Sequence, residues 1–327
     1  MACPDNNANV PKITIGLTCF NAVDTIGEAL QSAALQDWAN LEILVIDDAS
    51  TDATREIVLN AARMDERIRL IARDENGGAA AARNTILENA AGEYLAFFDD
   101  DDISAPCRVR TQYEHLAQYE QTSQASLVAC FASGKRRYPN GYELDMPAIG
   151  SSGPVPVGGV VADYLLFNAR PDDVFFGAGV PTCALMAKLE TFRNVGGFDE
   201  TLRRVEDVDF AVRLALMGGH FIGCEQVLFE QHATHAADKT PKKNFEAELS
   251  LIEKHRRYLQ SRGRYDYAKR WFKIRYLHFS RQRVAFIGAL LGFLALHPVS
   301  GLRHIFRSVP ARFAHERRMR GRAGTAS

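Results

Sequence analysis

Four consecutive acids, Asp99 to Asp102, follow the apolar stretch "EYLAFF". Ionised carboxylates this close repel one another, and one of the set protonates unless a cation neutralises it. Side chains alternate along an extended strand end, so Asp99 and Asp101 point to one side and Asp100 to the other. Asp99 and Asp101 can then hold a hard divalent cation while Asp100 reaches a ribose or a neighbouring donor. Carboxylate oxygens suit Mg2+ or Mn2+, above all when substrate phosphates complete the shell. The plainer alternative is a solvated acidic turn with an Asp capping a helix, ahead of Pro106. Four acids make that an expensive turn.

Other segments offer complementary groups. "VIDDAS" carries Asp47 and Asp48, and a carboxylate there can accept the imide N–H of uracil or thymine; "DDASTD" equally satisfies a helix cap, with Ser50 or Thr51 as the capping residue. "ENGGAAAARN" has neither the GxxxxGK[ST] nor the GxGxxG spacing, which weakens a P-loop or dinucleotide reading. Its Gly77 and Gly78 permit close backbone approach, and Arg83 faces back toward the strand ends, available to a carboxylate, a base or a phosphate. A surface arginine on an Ala-rich helix is the alternative. "RVEDVDF" sets Glu206 and Asp207 at a helix start, where the dipole favours ionised acids. Asp207 is a candidate general base, with capping as its alternative role. His232 and His235 in "EQHATH" are candidate metal or phosphate ligands, although their spacing alone does not select that use.

The elements that must position these groups alternate. "KITIGLTCF", "LEILVIDDAS", "IRLIARD" and "EYLAFF" read as strands, and helical patterns lie between them. Such alternation implies right-handed βαβ crossovers and a mostly parallel sheet flanked by helices. Ligands of such sheets bind beyond the carboxyl ends of the strands. Thr18 to Asn21, Asp47 to Asp52 and Asp99 to Asp102 all fall there. The second half is less regular: a Gly/Pro-rich loop at Gly150–Gly159, a helix through "VEDVDFAVRLALMGG" closed by Gly218 and Gly219, and an amphipathic helix from near Phe245.

Composition and charge set the bounds. At 327 residues with 24% charged residues, the chain suits one large globular domain, or one domain with an extension. The net charge of −1 hides an asymmetry, because 17 Lys/Arg face 2 Asp/Glu from Arg256 onward, a local charge of +15. A basic tail on an acidic body points to a polyanion or an anionic membrane surface. The six scattered cysteines form no CxxC pair, which speaks against a zinc site or a disulfide framework and for a reducing compartment. No signal peptide is read at the start, and the longest apolar run, Val284–Leu296, falls short of the roughly 20 residues needed to span a bilayer. The expectation is a cytoplasmic protein, peripheral on the inner face of the plasma membrane, with no nucleic-acid partner.

Taken together, "LTCFNAVDTIGEALQSAALQ", "ILVIDDASTDAT", "NGGAAAARN", "YLAFFDDDD" and "GGFDETLRRVEDVDFAVRL" resemble the family 2 glycosyltransferases of the GT-A fold, over roughly Ile13 to His235. The resemblance implies an α/β, Rossmann-like GT-A domain with a C-terminal helical extension. It implies an inverting, metal-dependent transfer of a sugar from a UDP- or dTDP-linked donor to a glycan or lipid-linked acceptor. Carried over residue by residue, Thr18, Phe20 and Asn21 match the strand end that frames the nucleobase, without the family's usual Pro and Tyr. Asp48 matches the acid that reads the base, and Asn76, Gly78 and Arg83 the segment closing over the nucleotide. Asp99 and Asp101 match the DxD motif, with Asp100 a ribose neighbour, and Mn2+ or Mg2+ as cofactor. Asp207 matches the base of the ED motif. His232 matches a His that approaches the metal or diphosphate, although Glu230 and Gln231 stand where the family often has Arg. The expected organisation is a tail over 1–10, a catalytic domain over 11–240 (11–105 nucleotide-binding, 106–240 acceptor and catalytic) and a basic helical extension over 241–327. A nucleotidyl- or phosphoryl-transferring enzyme on a similar sheet, and a non-catalytic basic-tailed scaffold, are the alternative readings.

Overall fold

The computed structural model describes residues 10–232 and 240–321, so His235 and the ends of the chain lie outside the described residues. The chain divides into two compact units. The first holds residues up to Arg136, Asp145–Ala162 and Pro171–His232; the second holds Arg137–Leu144, Asp163–Arg170 and the C-terminal part.

The first unit begins with the expected alternation: β1 (Ile13–Cys19), α1 (Ile26–Ala34), β2 (Leu41–Asp47), α2 (Thr54–Met64), β3 (Ile68–Ala72), α3 (Ala79–Asn89) and β4 (Tyr94–Asp99). These strands pair in parallel in the order β3-β2-β1-β4, with Thr18 level with Ile46 on one side and Asp99 on the other. Ile13, Ile15 and Leu17 of β1 are fully buried, as a parallel strand covered on both faces requires. Each such side chain contributes about 1.5–3 kcal/mol by its burial. Gly16 lets α3 close onto the sheet, since a Cβ there would stand 2.7 Å from Ile86 Cγ2.

The chain then continues through β5 (Asp102–Ser104), α4 (Arg108–Ser123), β6 (Val128–Arg137), β7 (Glu143–Met146), α5 (Gly159–Phe167), β8 (Leu185–Lys188), α6 (Leu189–Val195), α7 (Glu206–Leu216) and β9 (His220–His232). Here the sheet changes direction: β8 runs antiparallel to β4 and β6, and β5 antiparallel to β9. The sheet is therefore mixed, parallel through its first four strands and antiparallel where β8 and β5 join. Arg108, wholly buried, braces the junction by donating to Gln112, Ser104 and the carbonyls of Phe97 and Cys183, with its guanidinium 4.1 Å from the Phe98 ring centroid. Burial lowers its pKa to about 10.

One expected cap is corrected. α2 starts at Thr54, whose N–H donates to Asp52 Oδ1 at 2.9 Å, so neither Ser50 nor Thr51 caps it. Those two residues instead bind Asn21, which ties the first two loops together.

The second unit contains α8 (Pro241–Lys254), α9 (Arg256–Ser261), α10 (Tyr265–Phe279), α11 (Arg283–Leu296) and α12 (Pro298–Gly321). α8 begins four residues before the expected Phe245, because Thr240 caps it by accepting from the Lys243 N–H and Pro241 fits its first turn. Its core is aromatic: Tyr267 and Trp271 of α10 meet Phe293 of α11, and the Tyr267 hydroxyl lies 2.8 Å from His304 Nδ1. Among the described residues, no helix is long and apolar enough to cross a membrane.

Candidate active site

The carboxyl ends of β1, β2 and β4 bring the three polar clusters to one edge of the sheet. Asn21 adopts a left-handed φ of 49°, donates its N–H to Ser50 Oγ at 3.0 Å and accepts the Thr51 N–H at 2.8 Å. Its amide is thereby a staple between loops. Phe20 beside it is 46% exposed, and its N–H donates to Asp100 Oδ2 at 3.2 Å. Burial, and then Asp99 and Asp101, push Asp100 up to about 7.

The two acids after β2 divide their work. Asp47 is structural: it accepts the Ser50 N–H at 3.0 Å and pairs with Arg55 at 2.8 Å. Asp48 accepts the N–H of Gly77 at 3.0 Å and of Gly78 at 2.7 Å, and Arg73 Nε lies 3.3 Å from it. Asn76 donates to the Asp48 carbonyl at 3.1 Å, and Arg203 reaches across to Asn76 Oδ1 at 3.2 Å. The loop ahead of α3 therefore folds onto Asp48, and Gly78, at φ 81°, is where it turns into the helix.

Arg83 resolves to a carboxylate partner. It pairs with Glu206 at 2.7 Å, lies 3.7 Å from Asp99, and is almost fully buried. Burial opposes its charge, but Asp99 and then Glu206 outweigh that and raise its pKa. One α3 side chain thus links the acid run after β4 to the first turn of α7. Asn84 strengthens the link by exchanging hydrogen bonds with the Phe198 backbone at 2.9 and 2.8 Å and donating to Glu200 at 2.8 Å. Asp207, next to Glu206, is half-buried and accepts the Val208 N–H at 2.7 Å. Burial, and then Glu206, raise it to about 6. A carboxylate with that affinity for a proton suits a general base near neutral pH.

Asp102 stands opposite Gln231 in the antiparallel pairing of β5 with β9, and the pairing ends there, with Asp101 in the turn before β5. His232 is exposed at the last residue of β9. Asp102 itself is 1% exposed, with the Cys183 thiol as the hydrogen-bonding group beside it and no nitrogen or oxygen donor on either of its oxygens. Burial, followed by Asp99 and Asp101, lifts it to about 8. One ligand atom each of Asp99, Asp102 and Cys183 lies within 4.8 Å of the others. Cys183 adds a thiol that a hard divalent cation does not seek, whereas Asp99 and Asp102 supply the oxygen donors that it takes. The residues present therefore fit Mn2+ or Mg2+.

Sequence reasoning missed several of these groups. Asp102 was legible only as one acid of four, and Cys183 and Asn84 carry no local signal. Glu206 was read only as an acid at a helix start, and its pairing with Arg83 was not foreseen.

Comparison with known proteins places the chain among relatives. Residues 14–174 match the family described as glycosyl transferase family 2. Over 133 residues the chain is 44% identical to the UDP-Glc:alpha-D-GlcNAc-diphosphoundecaprenol beta-1,3-glucosyltransferase WfgD of Escherichia coli, covering 38% of this chain and 52% of that protein. Over 105 residues it is 42% identical to the succinoglycan biosynthesis protein ExoO of Rhizobium meliloti, covering 32% of this chain and 30% of the relative. The chain thus spans about half or less of the length of these curated relatives. Among solved structures, residues 1–349 of S. aureus TarS in complex with UDP-GlcNAc align with a TM-score of 0.59 at 19% identity, covering 86% of this chain and 80% of that one. At that identity the likeness is one of fold.

Proposed function

Since the chain belongs to the family 2 glycosyltransferases and has their GT-A fold, we propose that it transfers a sugar from a UDP- or dTDP-linked donor to a hydroxyl of a glycan or lipid-linked acceptor, with inversion at the anomeric carbon. The observation that carries the reading is the Arg83 bridge. It joins Asp99 to Glu206, the residue before the candidate base Asp207, through one guanidinium, although the two motifs lie more than a hundred residues apart. The names of relatives agree in kind: WfgD is a UDP-Glc transferase acting on a diphosphoundecaprenol-linked sugar, and ExoO serves succinoglycan biosynthesis.

In this reading Asp48 accepts the imide N–H of the base, and the exposed ring of Phe20 flanks it. Thr18 and Asn21 shape the base pocket from below, Asn76 and Gly78 close over it, and Asp100 takes the ribose. Asp99, Asp101 and His232 would hold Mn2+ or Mg2+, with Asp102 and Cys183 adjoining. When bound, the ion neutralises charge building on the departing diphosphate. Asp207 takes the proton of the acceptor hydroxyl as that oxygen attacks the face opposite the leaving group. Charge develops on the sugar ring as in glycoside hydrolysis, and a single displacement inverts the centre. No covalent nucleophile is needed. We place the reaction at the cytoplasmic face of the plasma membrane, in envelope or exopolysaccharide synthesis.

A panel of sugar nucleotides with Mn2+, read by thermal shift, selects the donor. Product analysis then tests the reaction. Release of UDP or dTDP with sugar transfer is expected, whereas release of pyrophosphate would replace this reading with nucleotidyl transfer.

A further inference from the structure

α11 is at odds with its surroundings. Its 14 residues, "RVAFIGALLGFLAL", carry no charge beyond Arg283, yet Phe293 is its one buried side chain. A helix apolar on every face belongs in a core or in lipid. Val284, Ile287 and Leu291, on one side at helical spacing, are 88%, 55% and 62% exposed. The following helix repeats the arrangement, with Val299 and Phe306 each 74% exposed and Leu302 between them at 46%.

The flanking charge selects the occupant. No acid lies between Asp266 and Glu316, while nine Lys/Arg do, including the exposed Arg283 and Arg303. A second copy docking here would bring like charges together, and an anionic lipid surface would neutralise them. A helix of 14 residues is about 21 Å long, against a hydrocarbon core of about 30 Å. It cannot cross a bilayer, but it can lie in the interface with its apolar sides among the acyl chains.

We propose that α11, with the Val299–Leu302–Phe306 stripe of α12, is a monolayer-inserting surface for anionic lipid. This deepens the proposed membrane location and rests on that reading for its purpose, bringing the enzyme to the surface that carries a lipid-linked acceptor.

Co-sedimentation of the full chain with phosphatidylglycerol/phosphatidylcholine vesicles tests it, alongside calorimetric titration of the donor without vesicles. The protein binds the anionic vesicles at about 50 mM salt, and much less at about 500 mM, as a screened attraction requires. Ile287→Glu with Leu291→Glu lowers partitioning at least tenfold. Arg283→Gln with Arg303→Gln lowers it about thirtyfold, from roughly fivefold per basic residue. Circular dichroism and donor affinity stay at wild-type values in both variants. Variants that partition like wild type, equal binding to pure phosphatidylcholine, or a wild-type dimer that the α11 variants dissociate and that ignores vesicles would each overturn the proposal. Vesicle binding without donor binding would instead sink the catalytic reading and leave this surface standing.

Discussion

Asp102→Asn isolates the cost of one buried carboxyl. In the folded chain this group holds its proton up to about pH 8, whereas an unfolded Asp releases it near pH 4. The native state therefore binds more protons over that window, and the sign follows: the group's stabilising contribution is complete below about pH 4 and is lost as pH rises through 8. Each pH unit inside the window costs about 1.4 kcal/mol, or about 3 kcal/mol between pH 5 and 7. Asparagine is close in shape to the protonated acid and has no proton to lose. The variant should match wild type near pH 4 and be more stable by a few kcal/mol at pH 7. Asp100 and Asp207 tilt the curve in the same direction but are common to both proteins, so the difference reports Asp102 together with its interaction with Asp99 and Asp101. Urea denaturation at pH 4, 5, 6 and 7 in EDTA reads it, and Mn2+ should then raise the wild-type midpoint more than the variant's. Parallel pH curves for the two proteins would refute the reasoning.

Three other changes probe the remaining parts. Asp207→Asn should keep donor affinity and lower transfer by about 10²–10⁴-fold, and the wild-type rate should fall on the acid side with an apparent pKa near 6; turnover above a tenth of wild type would count against the base. Asp101→Ala should abolish the Mn2+-dependent part of donor binding in calorimetric titration while barely changing stability, since it relieves repulsion among neighbouring acids. Asn84→Ala removes both hydrogen bonds to Phe198 and the one to Glu200, and should cost about 2–3 kcal/mol in urea denaturation.

The parallel half of the sheet is legible because its strands switch cleanly between apolar runs and helical periodicity, and a turn residue marks each strand end. The antiparallel half is not. β8 is four residues, "LMAK", too short to show a period, and its pairing with β4 joins segments about ninety positions apart. Side-chain partnerships fail for the same reason. Nothing near Arg83 announces Glu206, and nothing near Asp102 announces Cys183. Arg108 reads like any polar residue at a helix start, and only the carbonyls of Phe97 and Cys183 around it show that it is interior. Asp48 was picked out by position, yet its contacts to Gly77 and Gly78 depend on how the next loop folds back.

α3 has a consequence for how such a chain can change. Gly78 at its start closes the loop over Asp48, Arg83 reaches both the acid run and Glu206, and Asn84 holds the Phe198 backbone. Three consecutive alanines, Ala80 to Ala82, keep this rod close against its neighbours. Deleting one residue between Gly78 and Arg83 would rotate the following side chains by about 100° and withdraw Arg83 and Asn84 together. The helix is therefore a ruler whose length cannot drift. Insertions and altered sugar preference have to be accommodated elsewhere, and chimaeras with related enzymes should be cut outside Gly78–Asn84.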